Sequence, residues 1–223
     1  TYIYKKKVTK IIFSIFYYIF LGILGIIVGL LAGLLGIGGG FLMVPLQYFA
    51  LNYAGVNPEI GFKIALGTSL ACIIPTAISG AYIHNKKADR NIIKPGILFG
   101  VFGAIGGFIG GKVAVLLPSK ILEITIGIIL IIISINLFIK KDKKRKEAKL
   151  KLNLSVGAIF GLLIGFFAGL FGIGGGVILM PILMGLFGFT LLESIATSTI
   201  FIPFTAIGGT ISYIISGINV NTV

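Results

Sequence analysis

One stretch of twelve residues occurs twice in this chain and limits what the chain can fold into. Residues 29–40 read GLLAGLLGIGGG and residues 165–176 read GFFAGLFGIGGG, and a proline follows each copy at the same distance, as Pro45 and Pro181. In both copies a long apolar run meets three consecutive glycines, which a helix tolerates poorly. A duplicated hydrophobic segment broken by glycine indicates the substrate site of a secondary transporter.

The apolar content of the chain indicates a membrane protein. Of its 223 residues, 57% are hydrophobic and 11% are charged, whereas a soluble domain carries about 25% charged residues. Helices that cross a bilayer need about 20 apolar residues, and such segments are residues 11–35, 65–83, 97–117, 121–139 and 154–171. Helices satisfy their backbone polar groups internally, so we expect an all-α, polytopic integral membrane protein. Richness in lysine and isoleucine favours the plasma membrane of a prokaryote.

The net charge of +13 lies mostly in the connecting segments, which are residues 5–7, 86–90 and 140–151. Basic connecting segments are typical of the cytoplasmic face of a membrane protein. We therefore place these loops in the cytoplasm and expect no binding of nucleic acid. An even number of crossings must then separate residues 7 and 86. Because residues 41–51 are too short to span, we predict that they form a re-entrant half-helix.

The chain is predicted to consist of two tandem helical repeats. The glycine motifs align at an offset of 136 residues, whereas Thr68-Ser69 align with Thr197-Ser198 at an offset of 129. The difference falls in a connecting loop, where insertions are common. The predicted units are a first membrane repeat (1–139), a basic cytoplasmic linker (140–152) and a second membrane repeat (153–223). The second repeat lacks counterparts of the segments 95–117 and 121–139, so we expect it to be incomplete at its C-terminus.

Glycines also recur at helical spacing outside the triplets. Residues 157, 161, 165 and 169 form one such stripe, residues 25, 29 and 33 a second, and residues 103, 107 and 111 a third. Small residues four apart let helix backbones approach closely in lipid. We therefore interpret these stripes as helix-packing faces, which could also pack copies of the chain into a homo-oligomer.

The glycine triplets have a different interpretation, because three adjacent glycines point in three directions around a helix. They allow an unwound turn with exposed N–H groups, and a half-helix that starts just after, at Phe41 or Val177, has a partially positive N-terminus. Free amides at such an end bind anions. A purely structural kink is the alternative.

Hydroxyl side chains in the duplicated apolar helices extend this candidate site. They line a cavity if they face the glycine breaks, or else bond back to a carbonyl one turn earlier. The predicted substrate-binding residues are Gly38, Gly39, Gly40, Gln47, Thr68, Ser69, Gly174, Gly175, Gly176, Thr197 and Ser198.

Catalytic and metal-binding patterns are absent from the sequence. There is no HExxH motif, no catalytic triad spacing and no pair of intramembrane carboxylates, so we expect neither an enzyme nor a bound metal or cofactor. The single Cys72 offers no disulfide partner and is interpreted as a small buried hydrophobic residue. Glu193 is interpreted as a residue at the end of a loop, with membership of a proton relay as the alternative.

The twin glycine motifs, the prolines that follow them, the Thr-Ser helices and the basic centre resemble the sulfite exporter TauE/SafE family, also called probable membrane transporter proteins. This resemblance covers nearly the whole chain. It implies about eight membrane segments in two repeats. It also implies transport of small sulfur-containing or organic anions such as sulfite, sulfoacetate and related sulfonates.

The residues and the resemblance together predict a secondary transporter that works by alternating access around a central anion site. Gly38–Gly40 and Gly174–Gly176 would supply backbone amides, and the four hydroxyls would supply further donors. A passive anion channel is one alternative. A non-transporting membrane assembly subunit, whose glycine faces merely pack partners, is another.

Overall fold

The structure is a computed structural model of the chain, and it describes residues 22–23, 25–30, 32, 39–85, 92–139 and 152–220. Several predictions fall outside these ranges. They are most of the first membrane helix (11–35), Gly33, Gly38, the basic loop 86–90 and residues 140–151 of the linker.

The described part of the chain is helical and contains no strand, which confirms the all-α prediction. Residues 22–23, 25–30 and 32 are helical. Seven further helices follow: α1 (Gly40–Tyr53), α2 (Pro58–Asn85), α3 (Ile93–Leu116), α4 (Ser119–Ile139), α5 (Leu154–Phe171), α6 (Gly176–Leu186) and α7 (Leu191–Val220). Four of these, α2, α3, α5 and α7, are long and apolar enough to cross a membrane. The predicted segments 65–83, 97–117, 121–139 and 154–171 coincide with α2, α3, α4 and α5.

Glycines bring the backbones of three long helices into direct contact. Helix α3 packs against both α5 and α7. A methyl group on Gly165 would overlap the carbonyl oxygen of Gly103, and one on Gly169 would overlap that of Gly107. On the other side of α3, a methyl group on Gly208 of α7 would overlap the carbonyl oxygen of Ala104. The packing role predicted for the stripes in α3 and α5 is therefore confirmed.

The outward faces of the helices are apolar, as a lipid environment requires. On α3, Ile97, Val101, Ile105 and Ile109 recur every fourth residue, and each is between 44% and 51% exposed. A contiguous apolar surface of this kind is rare on soluble monomers, so it fits a helix whose outer side faces lipid.

The glycine stripe in the first half behaves differently from the other two. A Cβ atom on Gly25 or Gly29 would meet no atom within 4 Å. The packing role predicted for these two residues is therefore not seen in the described part of the chain.

Candidate functional site

Both glycine triplets interrupt the helical backbone. Helix α5 ends at Phe171, and Gly172, Gly174 and Gly175 have φ values of 66°, 77° and 80° before α6 begins at Gly176. In the first half, Gly39 has a φ of 75° immediately before α1 begins at Gly40. Positive φ is accessible to glycine with little strain. The two short helices thus start one residue before the predicted Phe41 and Val177.

The two breaks have matching neighbours, 136 residues apart. A methyl group on Gly39 would lie 2.7 Å from the Ala32 Cβ, and one on Gly175 would lie 2.9 Å from the Ala168 Cβ. In each break, therefore, an alanine seven residues earlier packs against the glycine that precedes the short helix.

The two breaks also contact each other. A methyl group on Gly40 would lie 2.8 Å from the carbonyl oxygen of Ile173 and 2.9 Å from its Cα, and it would overlap the side chain of Ile73. Ile173 belongs to the turn between α5 and α6 and is buried. The N-terminus of α1 therefore lies against the turn that leads into α6, which brings two partially positive helix ends into one region.

Hydroxyl groups from two helices hold carbonyl groups of the second break. Ser69 of α2 donates a hydrogen bond of 2.9 Å to the Gly172 carbonyl, and Thr205 of α7 donates one of 2.9 Å to the Gly174 carbonyl. These bonds occupy oxygens that would otherwise repel an anion. Ser69, a predicted substrate ligand, thus holds the turn in place. Thr205 was not predicted as a site residue, although it aligns with Thr76 at the repeat offset of 129.

Gln47 and Thr68 form a polar pair between α1 and α2. The Thr68 hydroxyl lies 2.7 Å from the Gln47 Oε1 and also 2.7 Å from the carbonyl of Ile64, one turn earlier. Thr68 is exposed and Gln47 is partly buried. The structure therefore brings these two predicted residues together, on the accessible side of α2.

Thr197 and Ser198 are fully buried, and neither hydroxyl has a hydrogen-bond partner in the described part of the chain. Ser194, which precedes them by one helical turn, has the same property. Buried hydroxyls without a partner are uncommon and cost about 1–3 kcal/mol each. The same helix also contacts the second break, because a methyl group on Gly175 would lie 2.8 Å from the Phe201 ring.

A small cavity lies beside the first break. Its volume is about 30 Å³, and its wall includes Gly25, Gly29, Gly39, Cys72 and Thr76. The expectation that Cys72 is buried is wrong, because its side chain is exposed. The periodicity of α2 places Cys72 one turn from Thr68 and one turn from Thr76, on a face that the neighbouring helices leave open.

Glu193 stabilises the start of α7. Its Oε2 accepts hydrogen bonds from the backbone N–H of Thr190 (2.8 Å) and from the Thr190 hydroxyl (3.1 Å), and the Glu193 N–H donates to that hydroxyl at 3.3 Å. This reciprocal pattern is a capping box. The interpretation of Glu193 as a residue at the end of a loop is therefore confirmed.

Comparisons with known proteins place the chain among membrane transporters. The family profile described as "Sulfite exporter TauE/SafE" matches residues 21–223. A probable membrane transporter protein of Methanocaldococcus jannaschii is 36% identical, over 86% of this chain and 70% of the relative. The probable membrane transporter protein YunE of Bacillus subtilis is 32% identical, over 90% of this chain and 79% of the relative. No solved structure matches the chain.

Proposed function

We propose a substrate class and a mechanism for this chain, which belongs to the sulfite exporter TauE/SafE family of membrane transporters. The family is not an enzyme family. The chain would carry small sulfur-containing or organic anions such as sulfite, sulfoacetate and related sulfonates. It would do so by alternating access, with one half (1–139) moving against the other (153–223). The family description supports the substrate class.

The contact between the two glycine breaks is the observation that carries this proposal. Gly40, the first residue of α1, packs against Ile173 in the turn before α6. The first N–H groups of a helix have no partner within that helix, and they favour negative charge. Two such ends in one region form a binding site for a compact anion that needs no buried arginine.

The unpartnered hydroxyls of α7 are the second element of the proposed site. Thr197 and Ser198 are donors without an acceptor in the described part of the chain, and an oxyanion supplies acceptors. Ser69 and Thr205 contribute indirectly, because they hold the carbonyls of Gly172 and Gly174. The amides of both triplets, together with Gln47 and Thr68, complete the proposed set of substrate contacts.

The proposed location follows the charge of the connecting segments. The chain would lie in the plasma membrane of a prokaryote, with residues 86–90 and 140–152 on the cytoplasmic side, where positive charge is favoured. Helix α1, with 14 residues, would be re-entrant because it is shorter than the bilayer core.

Counterflow in proteoliposomes tests this proposal. The purified protein is reconstituted with sulfite, sulfoacetate, taurine, lactate or chloride inside, with and without a pH gradient. We expect saturable exchange of a sulfur anion. Flux without counterflow would indicate a channel instead, and well-folded protein without any flux of a sulfur anion would overturn the substrate class.

Substitutions of the unpartnered hydroxyls test the site itself. Thr197→Val and Ser198→Ala should reduce exchange about 10- to 100-fold if each hydroxyl bonds the anion. They should not lower the melting temperature, because removing an unsatisfied buried hydroxyl is neutral or stabilising. Thr199→Val is the matched control, since the Thr199 hydroxyl donates to the Ala196 carbonyl of its own helix at 2.8 Å. Unchanged exchange in both test variants would exclude these donors.

Alanine at Gly39 or Gly175 is a poorer test than the sequence suggests. Both residues have a positive φ, and an added methyl group would lie 2.7 Å or 2.8 Å from a neighbouring atom. Such variants would be strained whether or not the glycine contacts a substrate.

A further inference from the structure

The two breaks differ at one pair of aligned positions. Phe201 of α7 packs against the second break, where its ring lies 2.8 Å from the position of a methyl group on Gly175. The residue 129 positions earlier is Cys72 of α2. Its side chain is too small to fill the same space at the first break, and the cavity of about 30 Å³ beside Gly39 occupies it.

Other aligned positions show the same contrast. Gln47 aligns with Leu183 at the offset of 136 residues. Gln47 is partly exposed and pairs with Thr68, whereas Leu183 is fully buried. The surroundings of the first break are therefore polar and accessible, while those of the second break are apolar and closed.

The glycine stripe of the first half takes part in this difference. Gly25 and Gly29 align with Gly161 and Gly165. The second pair packs against α3, but Gly25 and Gly29 line the cavity and have no atom within 4 Å of an added Cβ. At these two positions the absence of a side chain leaves space next to the first break.

We propose that this cavity is the subsite that first receives the oxyanion group of the substrate, and that the small side chain of Cys72 keeps it open. This inference rests on the proposed function. The volume accommodates about two water-sized groups, so it would hold part of one sulfonate or sulfite group. The substrate's acceptors would meet the Cys72 thiol, the Thr76 hydroxyl and the N-terminus of α1. In the conformation described here, the second break and the hydroxyls of α7 are closed.

The Thr68–Cys72–Thr76 row of α2 gives the remainder of an organic anion a polar path. These residues are spaced by four, and all three are exposed. Gln47 is a hydrogen-bond partner of both the Thr68 and the Cys72 side chains. A short sulfonate could therefore place its head group beside Gly39 and its other end toward Gln47.

Substitution of Cys72 tests the subsite by transport. Cys72→Phe copies the residue found at the second break and fills the cavity, so exchange should fall by about 10- to 200-fold, as for other steric misfits in a binding pocket. Cys72→Ala leaves the cavity open and should keep exchange close to that of the unsubstituted protein. Cys72→Phe protein that folds and exchanges normally would overturn the inference while leaving the proposed function in place.

Thiol labelling provides a second test that needs no substitution. Cys72 is the only cysteine of the chain, so a charged, membrane-impermeant methanethiosulfonate reports on this cavity alone. Sulfoacetate at ten times its Kd should slow the labelling about tenfold by occupancy, whereas chloride at the same concentration should not. Sulfite is unsuitable as the probe because it cleaves the reagent.

The two tests separate the subsite from the transport activity. Protection by sulfoacetate without any exchange would support the subsite and overturn the transport proposal. Exchange without protection would overturn the subsite and support transport. If Cys72→Phe does not fold, labelling of the unsubstituted protein decides the question.

Discussion

The Ser69 hydroxyl donates a hydrogen bond of 2.9 Å to the carbonyl oxygen of Gly172, 103 positions later in the chain. Ser69 is fully buried in α2, and Gly172 is the left-handed residue that ends α5. The last carbonyls of a helix have no partner within that helix. One half of the chain thus satisfies a helix end in the other half, next to the break that leads into α6.

Removal of this hydroxyl should destabilise the fold. Ser69→Ala leaves a buried carbonyl without its partner, which costs about 1–3 kcal/mol, and the melting temperature in detergent should fall accordingly. Thr125→Ala is the control, because the Thr125 hydroxyl donates to the Ile121 carbonyl within α4. Equal melting temperatures for Ser69→Ala and the unsubstituted protein would show that this bond does not stabilise the break.

The close packing of α5 on α3 predicts opposite effects for two glycine substitutions. A methyl group on Gly169 would overlap the Gly107 carbonyl, whereas one on Gly127 of α4 would meet nothing within 4 Å. Gly169→Ala should therefore destabilise by about 1–3 kcal/mol through overpacking. Gly127→Ala should be neutral or stabilise by up to about 1 kcal/mol, because alanine favours helix. Thermal unfolding of both variants measures the difference, and equal effects would argue against the backbone contact.

The capping role of Glu193 predicts that its charge is dispensable for transport. Glu193→Gln retains an oxygen that can accept from the Thr190 N–H, so the rate of exchange and its dependence on pH should remain unchanged. Thr190→Ala removes the capping hydroxyl and should cost about 1 kcal/mol of stability. A pH profile that flattens in Glu193→Gln would instead assign the carboxyl group to a proton relay.

Much of the fold could be predicted from local sequence. Four apolar runs of sufficient length coincide with helices α2 to α5, because a long apolar segment in lipid satisfies its backbone best as a helix. The glycine triplets correctly predicted where α1 and α6 begin, to within one residue. Both results depend on chain-local physics.

The candidate site was less accessible to sequence reasoning. Ser69 was predicted as a substrate ligand, but its hydroxyl is engaged with Gly172. Cys72 was expected to be buried, yet it is exposed beside the cavity. Gly29 and Gly165 have the same sequence context, but only Gly165 packs against a neighbouring backbone. Spacing along a helix defines which residues share a face, but not which partner covers that face.

The sequence by itself determined the all-helical class, the positions of the two breaks and the conformational freedom of the glycines there, since each depends on neighbours a few residues away. The tertiary structure alone decided that Gly40 meets Ile173, that Ser69 reaches Gly172, and that the Thr197 and Ser198 hydroxyls have no partner in the described part of the chain. These relationships join residues far apart in the chain or depend on what surrounds a buried side chain. Steric fit and hydrogen bonding between packed helices set them, and no local pattern encodes that fit.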